Sequence, residues 1–170
     1  MKFSIVRSKF LEGLQRIQNV VSGKGTLQIL QNAMFQTEDN RLCMTTTDLD
    51  ISERCYVECD IEEQGSTTLP IRRLASIIRE LDEGKIMIEV NEDDVATVQA
   101  GSSYFKIIGM SVRDFPPVPV GEGKFCYRIE QGVLREMLRK TSYAISQDET
   151  RRVLNGVLMA FKDNKLTMVA

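Results

Sequence analysis

The sequence has 170 residues, 42% apolar and 27% charged, which suits a soluble globular chain holding one large domain, or one domain and part of another. Its net charge of −2 does not announce a polyanion partner. No stretch approaches the roughly 18 apolar residues of a membrane span, and Lys2, Arg7 and Lys9 break up any secretory leader, so a cytoplasmic location is expected. Histidine is absent, which removes the usual general base and the Ser-His and Cys-His nucleophile pairs. The four cysteines (Cys43, Cys55, Cys59, Cys126) lack the close pairs that grip zinc and are expected as reduced thiols, with no metal or cofactor.

In chain order, alternation predicts a strand over Lys2–Val6. The stripe Phe10, Leu11, Leu14, Ile17, Val21 predicts a helix from Ser8, as N-cap, to about Val21. Strands are expected over Ala33–Thr37, Arg41–Thr46 and Ile51–Ile61, with turns at 38–40 and 47–50. The theme then recurs: a strand over Ser66–Leu69, a helix opened by Pro70 with Ile71, Leu74, Ile77, Ile78 and Leu81 inward, and strands over Lys85–Val90, Val95–Ala100 and Tyr104–Ile108. The first unit, 1–112, is thus strand-helix-strands written twice, an α+β arrangement of helices packed on antiparallel sheet.

Arg113 to Lys124 holds three of the four prolines and two glycines, and reads as a linker over 113–124. Beyond it the chain repeats itself. Residues 1–46 lie on 125–170 at an offset of 124 without a gap, with ten identities: Ile5, Glu12, Leu14, Ser22, Thr26, Leu30, Asp39, Asn40, Leu42 and Met44. So long a shared register predicts a duplicated domain whose second copy, 125–170, is truncated. A strand over Cys126–Ile129 and a helix from Gly132 to about Ala144 are expected there. The final strand is expected to present an open edge.

Charge is segregated along the chain. The helical stretches 7–24, 71–82 and 133–141 hold ten Lys and Arg against four Asp and Glu, whereas 25–70 holds two basic residues against nine acidic. The basic side chains, among them Arg16, Arg72, Arg73, Arg79, Arg135, Arg139 and Lys140, avoid the apolar stripes. A basic helical face suits a phosphate polyanion. Without interleaved aromatics or a base-reading motif, contact would be to phosphate and not to sequence.

Several segments resemble bacterial DNA polymerase III β subunits, the sliding clamps. They are the opening MKFSIVRSKFLEGLQRIQNVVSGKGTLQILQNAMFQ, TTTDLDISERC (Thr45–Cys55), STTLPIRRLASIIREL (Ser66–Leu81), GSSYFKIIGMSVRDFPPVP (Gly101–Pro119) and QDETRRVLNGVLM (Gln147–Met159). The resemblance covers the whole chain and implies a DNA-clamp fold, with a first clamp domain at 1–112, part of a second at 125–170 and a third absent. It further implies a non-catalytic processivity factor: a head-to-tail homodimeric ring around duplex DNA that tethers the polymerase III α subunit, the clamp loader and other proteins carrying the clamp-binding motif. By carry-over, Lys24, Arg72, Gln147 and Arg152 match DNA-contacting positions, joined by Arg16, Arg79, Arg135 and Arg139 on the basic faces. Where some relatives carry tyrosines this chain has Arg152 and Val153, which leaves a stacking role without residues. Arg73, Ile77, Leu81, Phe105 and Ile107 match the protomer interface, although Ile77, Leu81 and Phe105 equally suit a core. Arg151, Val153 and Leu154 match the rim of a partner-peptide cleft.

Two rival readings are open at this stage. Asp48 with Asp50, or Asp93 with Asp94, would serve a two-metal nuclease, although acidic residues are ordinary in such turns. Alternatively, the chain is an interaction module that never meets DNA.

Overall fold

The structure, a computed structural model, describes residues 1–21, 27–118, 126–148 and 150–170. Strand β1 (Lys2–Val6) turns Phe3 and Ile5 inward and runs without a loop into helix α1 (Arg7–Ile17). The expected Ser8 cap is corrected. Val6, in extended conformation, is the cap residue, and no side chain caps the helix. The Arg7 N–H instead finds the Gly84 carbonyl at 2.9 Å, so tertiary structure satisfies one of the free donors of the first turn. Helix α1 also ends earlier than expected. Asn19 and the β-branched Val20 and Val21 are weak helix formers, yet Val21 still packs into the core.

Strands β2 (Asn32–Glu38) and β3 (Arg41–Thr47) form a hairpin through Asp39 and Asn40, both left-handed (φ 39° and 60°), as a tight two-residue turn requires. The single strand expected over Ile51–Ile61 is corrected to two, β4 (Ser52–Glu58) and β5 (Asp60–Glu63). Strand β4 pairs with β3 until Glu58 meets Arg41, the end of its partner. At Cys59, whose N–H bonds the Asn40 carbonyl, the chain crosses to a second sheet and pairs with β1. Then follow β6 (Ser66–Pro70), α2 (Ile71–Glu80), β7 (Lys85–Val90), β8 (Val95–Ala100) and β9 (Ser103–Ile108).

The two sheets have orders β5-β1-β7-β8-β9 and β4-β3-β2-β6. Each half of the repeat therefore lends its leading strand to the other: β1 pairs with β7, and β6 with β2. Helices α1 and α2 pack on one another, and one cluster joins both helices to both sheets through Phe10, Leu14, Ile17, Phe35, Met44, Ile71, Leu74, Ile78, Ile88 and Val98. The first unit runs to Val120, not to 112. The expected linker begins instead with a turn over Val112–Asp114 capped by Ser111, and Phe115 buries itself against Ile29 and Leu30. Residues 119–125 lie outside the described residues.

In the second unit, Gly121–Ala170, the 124-residue offset reappears as geometry. Helix α3 (Gln131–Thr141) lies 124 positions after α1. Strands β10 (Leu158–Lys162) and β11 (Lys165–Val169) pair in the register of β2 and β3, with Asp163 and Asn164 again left-handed. The strand expected over Cys126–Ile129 is the exception: these residues join no ladder. Its counterpart β1 is held between β5 and β7, and the stretch 126–170 contains no counterpart of either.

Among the described residues, no helix is long and apolar enough to cross a membrane. Burial pushes the Cys59 thiol up to about 11. A folded-state value above the unfolded one near 9 means this thiol favours folding fully below pH 9 and loses that contribution as pH rises towards 11. Urea unfolding of the protein should therefore weaken across pH 9–11, and Cys59→Ala should weaken less. Equal slopes in the two proteins would refute this.

Candidate nucleic-acid interface

The helix pair is positioned by arginines acting on backbone. Arg7, first in α1, donates from Nε to the Ile78 carbonyl at 3.0 Å and from Nη2 to the Arg79 carbonyl, and its Nη1 meets Glu83 at 2.6 Å. Arg72, in the first turn of α2, donates to the Val21 carbonyl at 2.9 Å, just past α1. The start of each helix thus sits by the end of the other, so α1 and α2 are antiparallel. Helix α2 ends in extended Leu81 without a glycine cap, and Arg7 supplies its last carbonyls with donors instead. Sequence reading overlooked this role, because a residue 71 positions away leaves no local signal.

With their apolar stripes buried, the helices present their polar sides outward. On α2, Arg72, Ser76 and Arg79 recur at helical spacing and are exposed, with Arg73 beside them. Among the described residues, no carboxylate lies within ion-pair distance of Arg72, Arg73 or Arg79. Helix α1 differs from expectation. Each of its basic side chains has an acidic partner: Arg7 with Glu83, Lys9 with Glu58 at 2.8 Å, and Arg16 with Glu12. The hydrogen bond from Lys9 holds the Glu58 carboxyl below its ordinary range and raises the Lys9 ammonium. The exposed pairs Lys9–Glu58 and Arg16–Glu12 are weak and can exchange for phosphate. Of the two helices, α2 is thus the one whose arginines meet no carboxylate among the described residues, as is also true of Arg41, Arg54, Lys106 and Arg113 outside the helices.

In the second unit, Arg135 and Arg139 are exposed on α3 and meet no carboxylate among the described residues, whereas Lys140 pairs with Glu136 at 2.7 Å. After α3, the Asp148 carboxylate accepts from the Thr150 N–H and hydroxyl, which holds its titration low and shapes the turn around exposed Gln147. Arg151 leans on Asp148 at 3.6 Å, and Val153 and Leu154 stand exposed beside it. Lys24 and the Arg152 side chain lie outside the described residues.

The expected interface set is corrected at two positions. Ile107 alternates inward from β9 opposite Ala96 and is fully buried, and Leu81 folds back into the core, so neither offers contact surface. Ile77 is half-buried against the core, while Arg73 and Phe105 are exposed. Strand β9 is an edge strand, with Tyr104 and Ile108 also outward.

Of the carboxylates in the nuclease reading, Asp48 holds its own turn and Asp94 ties its loop to β6. Asp48 Oδ1 accepts the N–H groups of Asp50 and Ile51, at 3.0 and 2.7 Å, and Asp94 Oδ1 accepts the Thr67 hydroxyl at 2.8 Å. Among the described residues, no three Cys, Asp or Glu side chains gather as a metal site would require.

Residues 1–119 match the family described as DNA polymerase III beta subunit, N-terminal domain. The Chlamydia muridarum protein named beta sliding clamp is 35% identical over 99% of this chain and 46% of its own length. Two crystal structures superpose closely. The DNA polymerase III subunit beta of Pseudomonas aeruginosa does so with a TM-score of 0.94 at 35% identity, over 100% of this chain and 46% of that one. The DNA polymerase sliding clamp of Bacillus subtilis does so with 0.93 at 27%, over 99% and 46%. The chain thus spans about half the length of the relatives it matches.

Proposed function

The chain belongs to the DNA polymerase III beta subunit family, and from that premise we propose that it is part of a cytoplasmic processivity clamp, a homodimeric ring that encircles duplex DNA and performs no chemistry. The arginine stripe of α2 carries this reading: Arg72 and Arg79, with no carboxylate in reach among the described residues, on the face opposite the core. Arg135 and Arg139 of α3 would add to it, as would Lys24, Gln147 and Arg152. Arg16 would contribute after exchanging Glu12 for a phosphate. Contacts to phosphate alone fix no register on the sequence, so the ring could slide.

In this reading, residues 125–170 begin a second clamp domain. The open edge of β9 with its exposed Phe105 would meet the other protomer, and Arg73 and half-buried Ile77 of α2 would belong to the same interface. Arg151, Val153 and Leu154 would form the rim where peptides of the polymerase α subunit, the clamp loader and other partners dock.

The test uses the full-length protein. Arg79→Glu, Arg135→Glu and Arg139→Glu together should weaken retention on nicked circular DNA. They should also lower the salt dependence of binding by about two to three in log–log slope, near 0.9 for each phosphate no longer neutralised. All three side chains are exposed, so the melting temperature should hold. Unchanged retention and slope would reject the DNA-facing assignment and favour an interaction module that does not touch DNA.

A further inference from the structure

Helix α2 ends without local partners for its last carbonyls. Leu81 turns extended straight after Glu80 and drops into the core, and no glycine stands at the cap. Arg7, far back at the start of α1, fills the gap. Its Nε donates to the Ile78 carbonyl at 3.0 Å and its Nη2 to the Arg79 carbonyl. Its Nη1 holds Glu83 at 2.6 Å, and its backbone N–H holds the Gly84 carbonyl at 2.9 Å. One residue thus grips both ends of the segment leading from α2 to β7. The Arg7 side chain is only 17% exposed, so it offers little surface to a ligand.

The turn held in this way carries Arg79. An arginine in the last turn of a helix is a ready donor for carbonyls left free there. Were those of Ile78 and Arg79 open, the Arg79 guanidinium would fold back on its own helix, and a released Glu83 would compete for it. With Arg7 in place, these acceptors are taken. Arg79 stands exposed and meets no carboxylate among the described residues. Arg72 differs from Arg7. It spends one nitrogen on the Val21 carbonyl at 2.9 Å and is itself exposed, so it keeps donors for a phosphate.

We propose that Arg7 is a positioning residue for phosphate binding. It touches no DNA, and by occupying the acceptors at the end of α2 it keeps the Arg79 guanidinium outward. The inference rests on the DNA-facing reading of α2.

A double-variant cycle in the full-length protein tests it, read as retention on nicked circular DNA over a range of salt. Arg79→Ala should weaken binding and lower the log–log salt slope by about 0.9, the share of one phosphate. Arg7→Gln places at position 7 the residue that opens α3 at the same point of the repeat. It should weaken binding about two- to tenfold, the cost of ordering one released side chain. With Arg79→Ala already present, it should add no further loss. Arg7→Lys keeps a donor for the carbonyls and should lose less, again with nothing added beside Arg79→Ala; it decides the matter if the glutamine variant fails to fold. Equal losses in both backgrounds would make Arg7 merely structural, and a slope lowered by about 1.8 in the double variant would make it a phosphate ligand. Either result overturns the proposal. Undiminished retention by Arg7→Gln, with Arg79→Ala weakened, overturns it too and leaves the DNA-facing reading standing. If Arg79→Ala alone changes neither retention nor slope, that reading fails and the proposal falls with it.

Discussion

Phe10→Ala should remove about 3–5 kcal/mol of stability from the first unit, a large share of the roughly 5–15 kcal/mol that holds a domain folded. Phe10 is fully buried on α1 and meets Phe35 of β2 edge-on, with ring centroids 6.4 Å apart at 67°. That pair adds about 0.5–1.5 kcal/mol beyond burial. The surroundings cannot collapse easily into the space left behind, because α1 lies close on the sheet. A Cβ at Gly13 would come within 2.6 Å of Met44 Cε and 2.7 Å of Val57 Cγ2. The cavity term therefore stays near its full size. Urea unfolding followed by near-UV absorbance or exchange of the first-unit amides should show the midpoint falling by more than about 1 M, with urea slopes near 1–3 kcal/mol/M. Phe10→Leu, which places at position 10 the residue that position 134 already carries, should recover a substantial part. A loss under about 1 kcal/mol for the alanine variant would mean that α1 does not anchor this core.

The elements that sequence reading placed well are those whose signal is local. The α1 and α2 stripes follow from 3.6-residue periodicity, and the Asp39-Asn40 turn follows from two residue types that tolerate left-handed backbone. The 124-residue repeat then carries α1 onto α3 and one hairpin register onto the other. What escaped is non-local. Alternation says which face of β1 is apolar, but not that its partner is β7 of the other half-repeat. Nothing around Cys59 announces a change of sheet, since that break is fixed by where β3 ends. The same limit applied to the candidate site. Basic residues on α1 were visible, but Lys9 meets Glu58 and Arg7 meets Glu83 across 49 and 76 residues, and those partners neutralise them. Ile107 and Phe105 share one face of β9, yet one is fully buried and the other 38% exposed, a difference set by position along the sheet edge.

Gly109→Ala should cost about as much as the Phe10 cavity, at a residue that no periodicity singles out. Gly109 follows β9 where the chain leaves one sheet and touches the other. Its N–H donates to the Asp94 carbonyl at 2.8 Å, and its neighbour Met110 forms an isolated antiparallel bridge with Thr68 of β6. The Thr68 hydroxyl donates to the Met110 carbonyl at 2.9 Å and accepts from Asn32 at 3.0 Å. A Cβ on residue 109 would stand 2.4 Å from the Thr68 carbonyl oxygen and 2.7 Å from that of Asp94. Both are backbone atoms held by hydrogen bonds, so no side-chain rotation relieves the clash and the chain must withdraw from β6. Losing two or three hydrogen bonds at about 1 kcal/mol each, with strain of about 1–3 kcal/mol, gives a destabilisation of about 3–6 kcal/mol. Amide exchange separates this from a core cavity: protection should fall first in Ser103–Ile108 and at Thr68, whereas Phe10→Ala should loosen α1 and β2. In the full-length protein the same variant should weaken protomer association as well, because β9 would carry the proposed interface. Native stability with native exchange at Thr68 would mean that the close approach of Gly109 to β6 is not needed to join the sheets.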